Sequence, residues 1–485
     1  MTTTAMMDMH SDRAMVATGH PAAARAAVEV LAEGGSAVDA AIAADALLGL
    51  VEPMATGIGG DLLAMLVEPD GAAHTYNGTG RAPMALAVSM VEALPGRRIS
   101  ERHPLSTTVP GVVRGWRDLH DRYGRLPWAR LFRPAIELAR TGFVVAPIAA
   151  REWQLFQPVI AADPVSAALY RASQVPKAGE RFVNLDLAAV LEAVAFDGPD
   201  AFYLGRPAQA AAEASRARGG VLAPDDFALH HGNFDRPLSA QFRGLTVLEC
   251  PPNTHGLAVL EALERLEGRD LDRADPRTTL AMVEAMQAGM TRAAEVVADP
   301  AGNTVCTVVV DESGLAVTLM TSVFKRFGSG IGVPGCGFVL QNRASGFAQP
   351  GHINGPGPGK RAYHTVIPAA ALKDGGFHAG FGVVGGAMQP QGHLQLLVRL
   401  AVWGEPLQAA IDAPRWRLEG GALAIENGTD PAISECLRSA GYAPPSSGEL
   451  GGRSDFGGAQ VVLRAADGSL RGGSDRRKDG MALGL

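Results

Sequence analysis

Hydrophobic positions follow a helical period near the start of the chain and again over a long central stretch. Apolar side chains recur every three to four positions in "HPAAARAAVEVLAEGG", which ends on Gly34 and Gly35, and in "SAVDAAIAADALLGLV", where Ser36 is a suitable helix cap. The same period returns between residues 110 and 300, as in "TTLAMVEAMQAGMTRAAEVVAD". The pattern predicts two N-terminal helices and a mostly helical middle.

Alternating apolar and polar positions indicate strands, and they dominate after residue 303. "LLAMLVEPDGAAHTYN" alternates on both sides of a Pro-Asp-Gly turn, which predicts an early hairpin. In the C-terminal part "TVCTVVVD", "LAVTLMTSVF", "HAGFGVVGG" and "GGAQVVLR" alternate, and one helical run, "QPQGHLQLLVRLAVWG", interrupts them. Because no repeat or linker separates the halves, we expect one interdigitated α+β domain of layered sheets and helices.

Composition narrows the class of protein. The 485 residues are 47% hydrophobic and 19% charged, which is typical of a globular chain. The net charge of −7 and the lack of a basic tract argue against a nucleic-acid partner. The apolar stretches are too short for a membrane-spanning helix, and the N-terminus lacks the apolar core of a secretory signal. We therefore expect a cytoplasmic protein with no membrane partner.

Familiar metal, nucleotide and hydrolase motifs fail on inspection. Gly330–Gly335 matches a dinucleotide-binding glycine pattern, but Pro334 and the lack of a following helix argue against it. "GPGPGK" lacks the hydroxyl residue that would hold magnesium, and neither HExxH nor GxSxG occurs. We therefore expect no metal and no organic cofactor. The cysteines are too far apart for a zinc site, so we expect buried free thiols at Cys250, Cys306, Cys336 and Cys436.

Thr304 stands at the mouth of a predicted strand, directly after Asn303. A hydroxyl becomes a good nucleophile when a base lies beside it, and an N-terminal threonine can use its own α-amino group, which titrates at about 8. An internal threonine acquires that amine only if the bond before it is cut, and its own hydroxyl can make the cut. On its own the signal is weak, because threonine commonly starts strands.

Several long motifs occur in a fixed order along nearly the whole chain. They include "GHPAAARAAVEVLAEGGSAVDAAIAA", "GIGGDLLAML", "VPGVVRGWRDLHDRYGRLPWARLFRPAIELARTGF", "FGSGI", "GKRAYHTVIPA", "GVVGGAMQ" and "AIDAPRWRLEGG". Together they resemble the γ-glutamyltranspeptidase family of N-terminal-nucleophile hydrolases. The resemblance implies a four-layer αββα sandwich. It also implies a precursor that cuts itself into a large and a small chain, the small one beginning with a catalytic threonine.

The family motif at that start, Thr-Thr-His-Tyr-Ser-Val-Val-Asp, aligns without a gap with Thr304–Asp311. The resemblance therefore implies that Thr304 is the nucleophile and that residues 1–303 and 304–485 become the two chains. Thr307 is the nearest rival, but choosing it loses the match to the aspartate.

Two more parts of the family mechanism have counterparts in this chain. Ser322 matches a hydroxyl residue that hydrogen-bonds the nucleophile, although a serine satisfied by the backbone would look the same in sequence. Gly385 and Gly386 match a pair whose backbone N–H groups bind the oxyanion. Glycine suits that role because the reacting carbonyl must approach the backbone closely.

Most of the residues that grip the γ-glutamyl head group in this family are replaced. The family's arginine falls at Thr79, an asparagine at Phe324, and two serines at His364 and Thr365. The aspartate that pairs with the α-ammonium group falls at Gly346. Because a buried ammonium without a carboxylate partner is costly, the resemblance implies that an α-amino acid head group binds poorly here.

Basic residues stand near the same positions. Arg81 lies two residues beyond the position of the family's arginine, and Arg343 replaces a glutamine. With Arg361, His364 and Thr365 they predict a site for a substrate that carries a carboxylate and an amide but no nearby ammonium. The pattern resembles the divergent amidohydrolase branch of the family, which includes enzymes similar to oxamate amidohydrolase and acylases that act on dicarboxylic side chains.

The sequence therefore predicts a self-processing amidohydrolase that forms an acyl ester on Thr304. Its expected partners are a small-molecule amide substrate and the two chains of its own precursor, and a homodimer is left open. Two other functions also stay open. One is γ-glutamyl hydrolysis or transfer on glutathione, and the other is a catalytically inactive binding protein on the same scaffold.

Overall fold

The strands form where the sequence alternates. The computed structural model describes residues 8–297, 303–420, 422–442 and 456–485, with side chains for all of these except 303 and 304. Within these ranges the strands are β1 (Met9–Ser11), β2 (Met15–Thr18), β3 (Asp61–Val67), β4 (Ala73–Gly78), β5 (Phe143–Val144), β6 (Arg181–Phe182), β7 (Asn233–Asp235), β8 (Leu238–Phe242), β9 (Leu245–Glu249), β10 (Asn303–Val310), β11 (Ala316–Phe324), β12 (Ala369–Lys373), β13 (Gly376–Val384), β14 (Trp416–Glu419), β15 (Ala422–Ile425), β16 (Gly458–Arg464), β17 (Leu470–Ser474) and β18 (Met481–Gly484).

The helices carry the segments with helical periodicity. In the described ranges they are α1 (Pro21–Ala32), α2 (Ala37–Val51), α3 (Val88–Glu92), α4 (Val112–Tyr123), α5 (Arg133–Thr141), α6 (Pro147–Leu155), α7 (Gln157–Ala161), α8 (Pro164–Leu169), α9 (Leu185–Asp197), α10 (Asp200–Tyr203), α11 (Arg206–Ala217), α12 (Pro224–Ala228), α13 (Gly256–Leu266), α14 (Pro276–Val296), α15 (Met388–Leu397), α16 (Leu407–Asp412) and α17 (Pro431–Ser439). Among these helices, none has the length and apolar character needed to cross a bilayer.

Local signals in the sequence set the ends of the first elements. Ser36 caps α2 and forms a reciprocal pair with Asp39, in which each side chain accepts from the other residue's backbone N–H. Gly34 follows α1 with φ +88°, a conformation that suits glycine after a helix. Strands β3 and β4 pair antiparallel across the Pro-Asp-Gly turn. The two N-terminal helices and the hairpin predicted from the pattern are thus confirmed.

Four layers stack on one another. Among the described residues, one antiparallel sheet has the order β1-β17-β16-β13-β12-β9-β8 and the other the order β18-β2-β10-β11-β3-β4-β7. Helices α1 and α2 pack on the outer face of the second sheet, and α13 and α15 pack on the outer face of the first. Strands β10 and β11 contact β13 across the space between the sheets. This is the αββα sandwich implied by the resemblance.

Strand β10 is buried on both faces, which explains its nearly continuous apolar sequence. Cys306 and Val308 belong to the core between the two sheets, whereas Val305 and Val309 belong to the core under the helices. The hydroxyl of Thr307 is satisfied by the hydroxyl of Thr18 on β2, 2.8 Å away. A strand of this kind is central to a sandwich. Its pairing with β11 begins at Asn303, whereas its pairing with β2 begins only at Thr307.

Two glycines let the sheets approach closely beside β10. A Cβ atom at Gly382 of β13 would lie 2.6 Å from the sulfur of Cys306 and 2.9 Å from that of Met320. A Cβ at Gly380 would lie 2.9 Å from a methyl carbon of Val308. Gly380 therefore faces Val308 and Gly382 faces Cys306, so β13 and β10 run in opposite directions where the sheets pack.

The cysteines are free thiols, as the sequence predicts. Burial raises the pKa of the Cys250 and Cys306 thiols, and it raises that of Cys336 to about 11. Cys436 is only half-buried. The three buried thiols are therefore protonated and unreactive at neutral pH.

The close packing at Gly382 can be tested by adding one methyl group. Gly382→Ala should lower the free energy of unfolding by about 1–3 kcal/mol, because the sheets must separate to admit the methyl. The matched control is Gly376→Ala on the same strand, where the nearest atom to the new Cβ, the Lys373 carbonyl oxygen, lies 3.8 Å away. Urea unfolding compares the two variants, and equal stability would contradict the packing described here.

Candidate active site

The backbone of Thr304 lies near the start of β10, beside an irregularity in its ladder with β11. Asn303 is opposite Phe324 and Val305 is opposite Thr321, so β11 has one extra residue in this interval. Bulges of this type often occur next to active sites, where they redirect a strand end. The register places the Thr304 backbone opposite the segment that contains Ser322. The predicted nucleophilic hydroxyl itself, and residues 298–302 before it, lie outside the described residues.

Ser322 lies on β11 in the same region. It is fully buried, and its Oγ accepts a hydrogen bond of 2.9 Å from the backbone N–H of Phe324. Directly across the ladder, on β3, its partner is Asp61. The prediction that a hydroxyl group lies near the start of β10 therefore agrees with the strand register.

The predicted oxyanion-binding pair lies at the end of β13. Where the sheets pack, Gly382 of β13 lies over Cys306 of β10. If the same register continues by two residues along each strand, Val384 lies over residue 304. Gly385 and Gly386 follow immediately, with φ values of +125° and +64°, and they lead into the N-terminus of α15. These conformations favour glycine, and N–H groups at a helix N-terminus suit a developing negative charge.

Asp61 is the centre of a buried hydrogen-bond network that sequence reasoning missed. Its Oδ1 accepts from the backbone N–H of Gly80 at 2.5 Å and from Nε2 of Gln341 at 2.7 Å. Its Oδ2 accepts from Nε of Arg343 and from Nε2 of His364, both at 3.0 Å. The only sequence signal was an acidic residue at the start of an otherwise apolar strand.

The hydrogen bonds fix the protonation states in this network. Nδ1 of His364 accepts from the backbone N–H of Val366, so the ring proton is on Nε2 and points to Asp61. Burial and the nearby charge of Arg343 lower the pKa of His364 to about 4, so the ring is neutral at pH 7. Burial alone would raise the pKa of Asp61, but the hydrogen bond from His364 and the charge of Arg343 lower it to about 2.

Arg343 presents two unused donors. Its side chain is fully buried, and its guanidinium carbon lies 4.0 Å from the ring centre of Phe324. Nε is bonded to Asp61, but Nη1 and Nη2 have no hydrogen-bond partner among the described residues. The hydroxyls of Thr365 and Thr79 are also buried without a partner. Buried donors are rarely left unpaired, so these groups indicate a place for a ligand or ordered water.

Arg361 has a different role from the one the sequence suggested. Its guanidinium holds loops around β4 and β7, and its acceptors are the carbonyl oxygens of Asn77, Thr79 and His231 and the side-chain oxygen of Asn233. Arg81 pairs with it as an isolated bridge and donates to the carbonyl of Gly359 at 3.2 Å. Arg81 is half-buried, and its Nε has no partner. Of these two arginines, only Arg81 keeps a donor for a ligand.

Comparison with known proteins agrees with the family resemblance over nearly the full length of the chain. The model of the γ-glutamyltranspeptidase family matches residues 23–305 and 299–485. The chain belongs to this family. It is 32% identical to the oxamate amidohydrolase proenzyme of Klebsiella pneumoniae, over 98% of this chain and 99% of that protein. It is 31% identical to the glutathione hydrolase-like YwrD proenzyme of Bacillus subtilis, over 97% and 98%.

Solved structures confirm the fold of this γ-glutamyltranspeptidase family member. The cephalosporin acylase from Bacillus halodurans superposes with a TM-score of 0.94 and 31% identity, and the match covers 99% of this chain and 97% of that one. The γ-glutamyltranspeptidase of Helicobacter pylori superposes less closely, with a TM-score of 0.55 over 62% of this chain. The α+β sandwich is therefore shared across the whole length with an acylase.

The structure also bears on the head-group positions that set this family member apart. At Gly346, a Cβ would lie 3.0 Å from the carbonyl oxygen of Tyr363, so little room exists there for a larger side chain. Asp61 lies nearby, but both of its oxygens already accept two hydrogen bonds. Neither position therefore offers a free carboxylate to an α-ammonium group.

The neutral state of His364 predicts a pH-dependent stability. Its pKa is about 4 in the fold against 6.5 for an ordinary histidine, so unfolding takes up a proton between these values. Stability should therefore fall as the pH drops from about 6.5 towards 4, by up to about 1.4 kcal/mol per pH unit. His364→Gln, which keeps an N–H donor without titrating, should remove this part of the slope. Urea unfolding from pH 4 to 8 tests this, and parallel curves for both proteins would contradict it.

Proposed function

We propose that this protein is a self-processing amidohydrolase that cleaves an amide of a small carboxylate-bearing substrate through an ester on Thr304. The observation that best supports it is the convergence of three parts at one level of the sandwich. These are the start of β10, Ser322 on β11, and the Gly385–Gly386 turn after β13. The first two are neighbours within one sheet, and the packing register of the two sheets supports assigning the third to the same place.

Processing would use the same hydroxyl as catalysis. The Thr304 oxygen attacks the carbonyl carbon of Asn303, the peptide C–N bond breaks, and the nitrogen takes the proton. Water then hydrolyses the resulting ester, which leaves a carboxyl group on Asn303 and a free α-amino group on Thr304. The products are a large chain of residues 1–303 and a small chain of residues 304–485. Relatives of this chain are named proenzymes, which supports such a step.

In turnover the freed α-amino group serves as the base. It takes the hydroxyl proton as Thr304 attacks the amide carbon of the substrate, and it returns the proton to the departing amine. The N–H groups of Gly385 and Gly386 stabilise the oxyanion, and one such donor is worth about 3 kcal/mol in the transition state. Ser322 orients the nucleophile. Water completes the cycle by hydrolysing the acyl ester.

Among the described residues, the substrate side of the site is basic, and its one central acid, Asp61, is fully hydrogen-bonded. We assign the carboxylate of the substrate to Arg343, with Arg81 and the hydroxyl of Thr365 as further contacts. His364 contributes through Asp61, because both of its ring nitrogens are already bonded. An oxamate amidohydrolase and a cephalosporin acylase stand among the relatives, and each name describes cleavage of an amide.

Intact-mass measurement tests the processing step. The purified wild-type protein should yield two chains, the smaller beginning at Thr304, whereas Thr304→Ala should remain one chain of 50.4 kDa without activity. Thr307→Ala is the matched control, since Thr307 is the nearest rival on the same strand, and it should still be cut. Cleavage of the Thr304→Ala protein at residue 303 would show that another group makes the cut.

A head-group comparison tests the choice of substrate against glutathione chemistry. Because neither Asp61 nor position 346 offers a free carboxylate to an α-ammonium group, kcat/KM for a γ-glutamyl anilide should be lower by about 100-fold or more than for the corresponding glutaryl anilide, which lacks that ammonium. Release of the aniline measures both. Faster turnover of the γ-glutamyl compound would instead support the alternative of a glutathione hydrolase.

A further inference from the structure

We infer that Asp61 is a positioning residue that aims the Arg343 guanidinium at the substrate carboxylate, and that this restricts the enzyme to short acyl groups. The carboxylate would be separated from the amide carbon by no more than two methylene groups. This inference rests on the proposed function, because it specifies the substrate of the same site.

The guanidinium of Arg343 is held in one orientation. Oδ2 of Asp61 accepts a hydrogen bond of 3.0 Å from Nε of Arg343. The Phe324 ring covers one face of the guanidinium, with 4.0 Å between the guanidinium carbon and the ring centre. Phe324 itself has φ +75°, which is uncommon for an aromatic residue, so the backbone is also specialised here. Because Nε is occupied and the ring face is covered, the remaining donors are those of the two terminal nitrogens.

Those two terminal nitrogens match one kind of ligand. Both are buried and unpartnered, and a buried donor without an acceptor costs free energy. A carboxylate offers two oxygens at the spacing of the guanidinium fork, so it satisfies both donors at once. A neutral carboxamide offers one oxygen, and its NH₂ group would face a second donor. The site therefore favours an acid over the matching amide.

Charge balance supports the same ligand. Asp61 is ionised and Arg343 is its counter-ion, while His364 is neutral, so this trio has no net charge without substrate. Arg81 is half-buried nearby and adds a positive charge with no acidic partner among its described hydrogen bonds. With Arg361 beside Arg81, the site carries excess positive charge, which a substrate carboxylate would reduce and an added ammonium would increase.

Asp61 and Phe324, the two residues that hold Arg343, lie close to the start of β10 in the strand register. Asp61 is directly opposite Ser322, and facing residues of an antiparallel pair are about 5 Å apart. Phe324 is two residues beyond Ser322, about 7 Å along the strand, and opposite Asn303. The guanidinium is therefore beside the start of β10 and not at the far end of a long groove. A long acyl chain would have to fold back to place its carboxylate there.

A substrate series on the wild-type protein tests the length limit. The probes are oxamate, malonamate, succinamate and glutaramate, together with the neutral oxamide and succinamide, and the readout is ammonia release. The best of the three shorter acids should exceed both glutaramate and its own diamide in kcat/KM by about 100-fold. Highest activity on glutaramate, or equal activity on acid and diamide, would overturn the inference while leaving the amidohydrolase proposal intact. A protein that is not cut at residue 303 and hydrolyses none of the probes would overturn both.

Variants separate positioning from folding. Asp61→Asn should raise KM for the short acids by about 10- to 100-fold, the loss expected for a hydrogen bond between charged groups, with little change in kcat. The loss on the short acids should exceed the loss on the diamides by about 10-fold or more, because only the acids use Arg343. An equal loss on acids, diamides and self-cleavage would mean that Asp61 has only a structural role and would overturn its assignment.

Inhibition of the wild-type protein provides a measurement that does not depend on any variant folding. Oxalate, malonate, succinate and glutarate carry the same carboxylate but cannot be hydrolysed. The three shorter acids should compete with substrate at lower concentration than glutarate. Arg343→Lys, which keeps the charge but loses the fork, should weaken inhibition by the short acids. Tightest inhibition by glutarate would contradict a short-acyl site.

Discussion

The contact between β13 and the β10–β11 pair is the constraint on which the rest of the structure depends. Hydrogen bonds fix the strands within each sheet, whereas one sheet is held against the other by side-chain packing and by a few side-chain hydrogen bonds, such as that from the Thr318 hydroxyl to the carbonyl oxygen of Ala369. Here glycines at 380 and 382 bring the β13 backbone against Cys306, Val308 and Met320, so the two sheets have little freedom to slide. The turn after β13 and the first residues of β10 are thereby held at the same level.

The buried carboxylate of Asp61 shows how the same interior supports a charge. Burial raises the pKa of an acid, and Glu249 shows this, since it contacts the neutral His393 at 2.7 Å but has no cation beside it. Asp61 accepts four hydrogen bonds and faces Arg343, and its pKa is lowered instead. Buried ion pairs seldom add net stability. The arrangement is therefore better explained by what it does to Arg343 than by the stability of the fold.

Much of the fold could be predicted from periodicity, because the elements obey local rules. Helix α2 has its cap at Ser36, and β3 and β4 flank a turn of the expected composition. The resemblance also singled out Ser322, which lies on β11, and Gly385 and Gly386, which follow β13, and their roles stay predictions. Asp61 could not be found in this way, because its partners are up to 303 residues away along the chain. A single acidic residue in an apolar strand has no pattern of its own.

The role of Arg361 was unpredictable for a related reason. In sequence, an arginine near a substrate-binding motif resembles any other arginine. Its function here depends on which carbonyl oxygens were left without partners when β4 and β7 came together, and that is a property of the assembled sheet. Arg343 and Arg361 thus differ in what surrounds them and not in any feature of their own sequence context.

Both sheets draw strands from either side of residue 304. Strands β8 and β9 complete the sheet that contains β13, while β10, β11 and β18 lie among β2, β3, β4 and β7. Neither segment could assemble a finished sheet by itself, and each would expose unpaired edges prone to aggregation. The unbroken polypeptide thus serves as a template that keeps both sets of strands together during folding. A gene divided at this point would have to produce both fragments together.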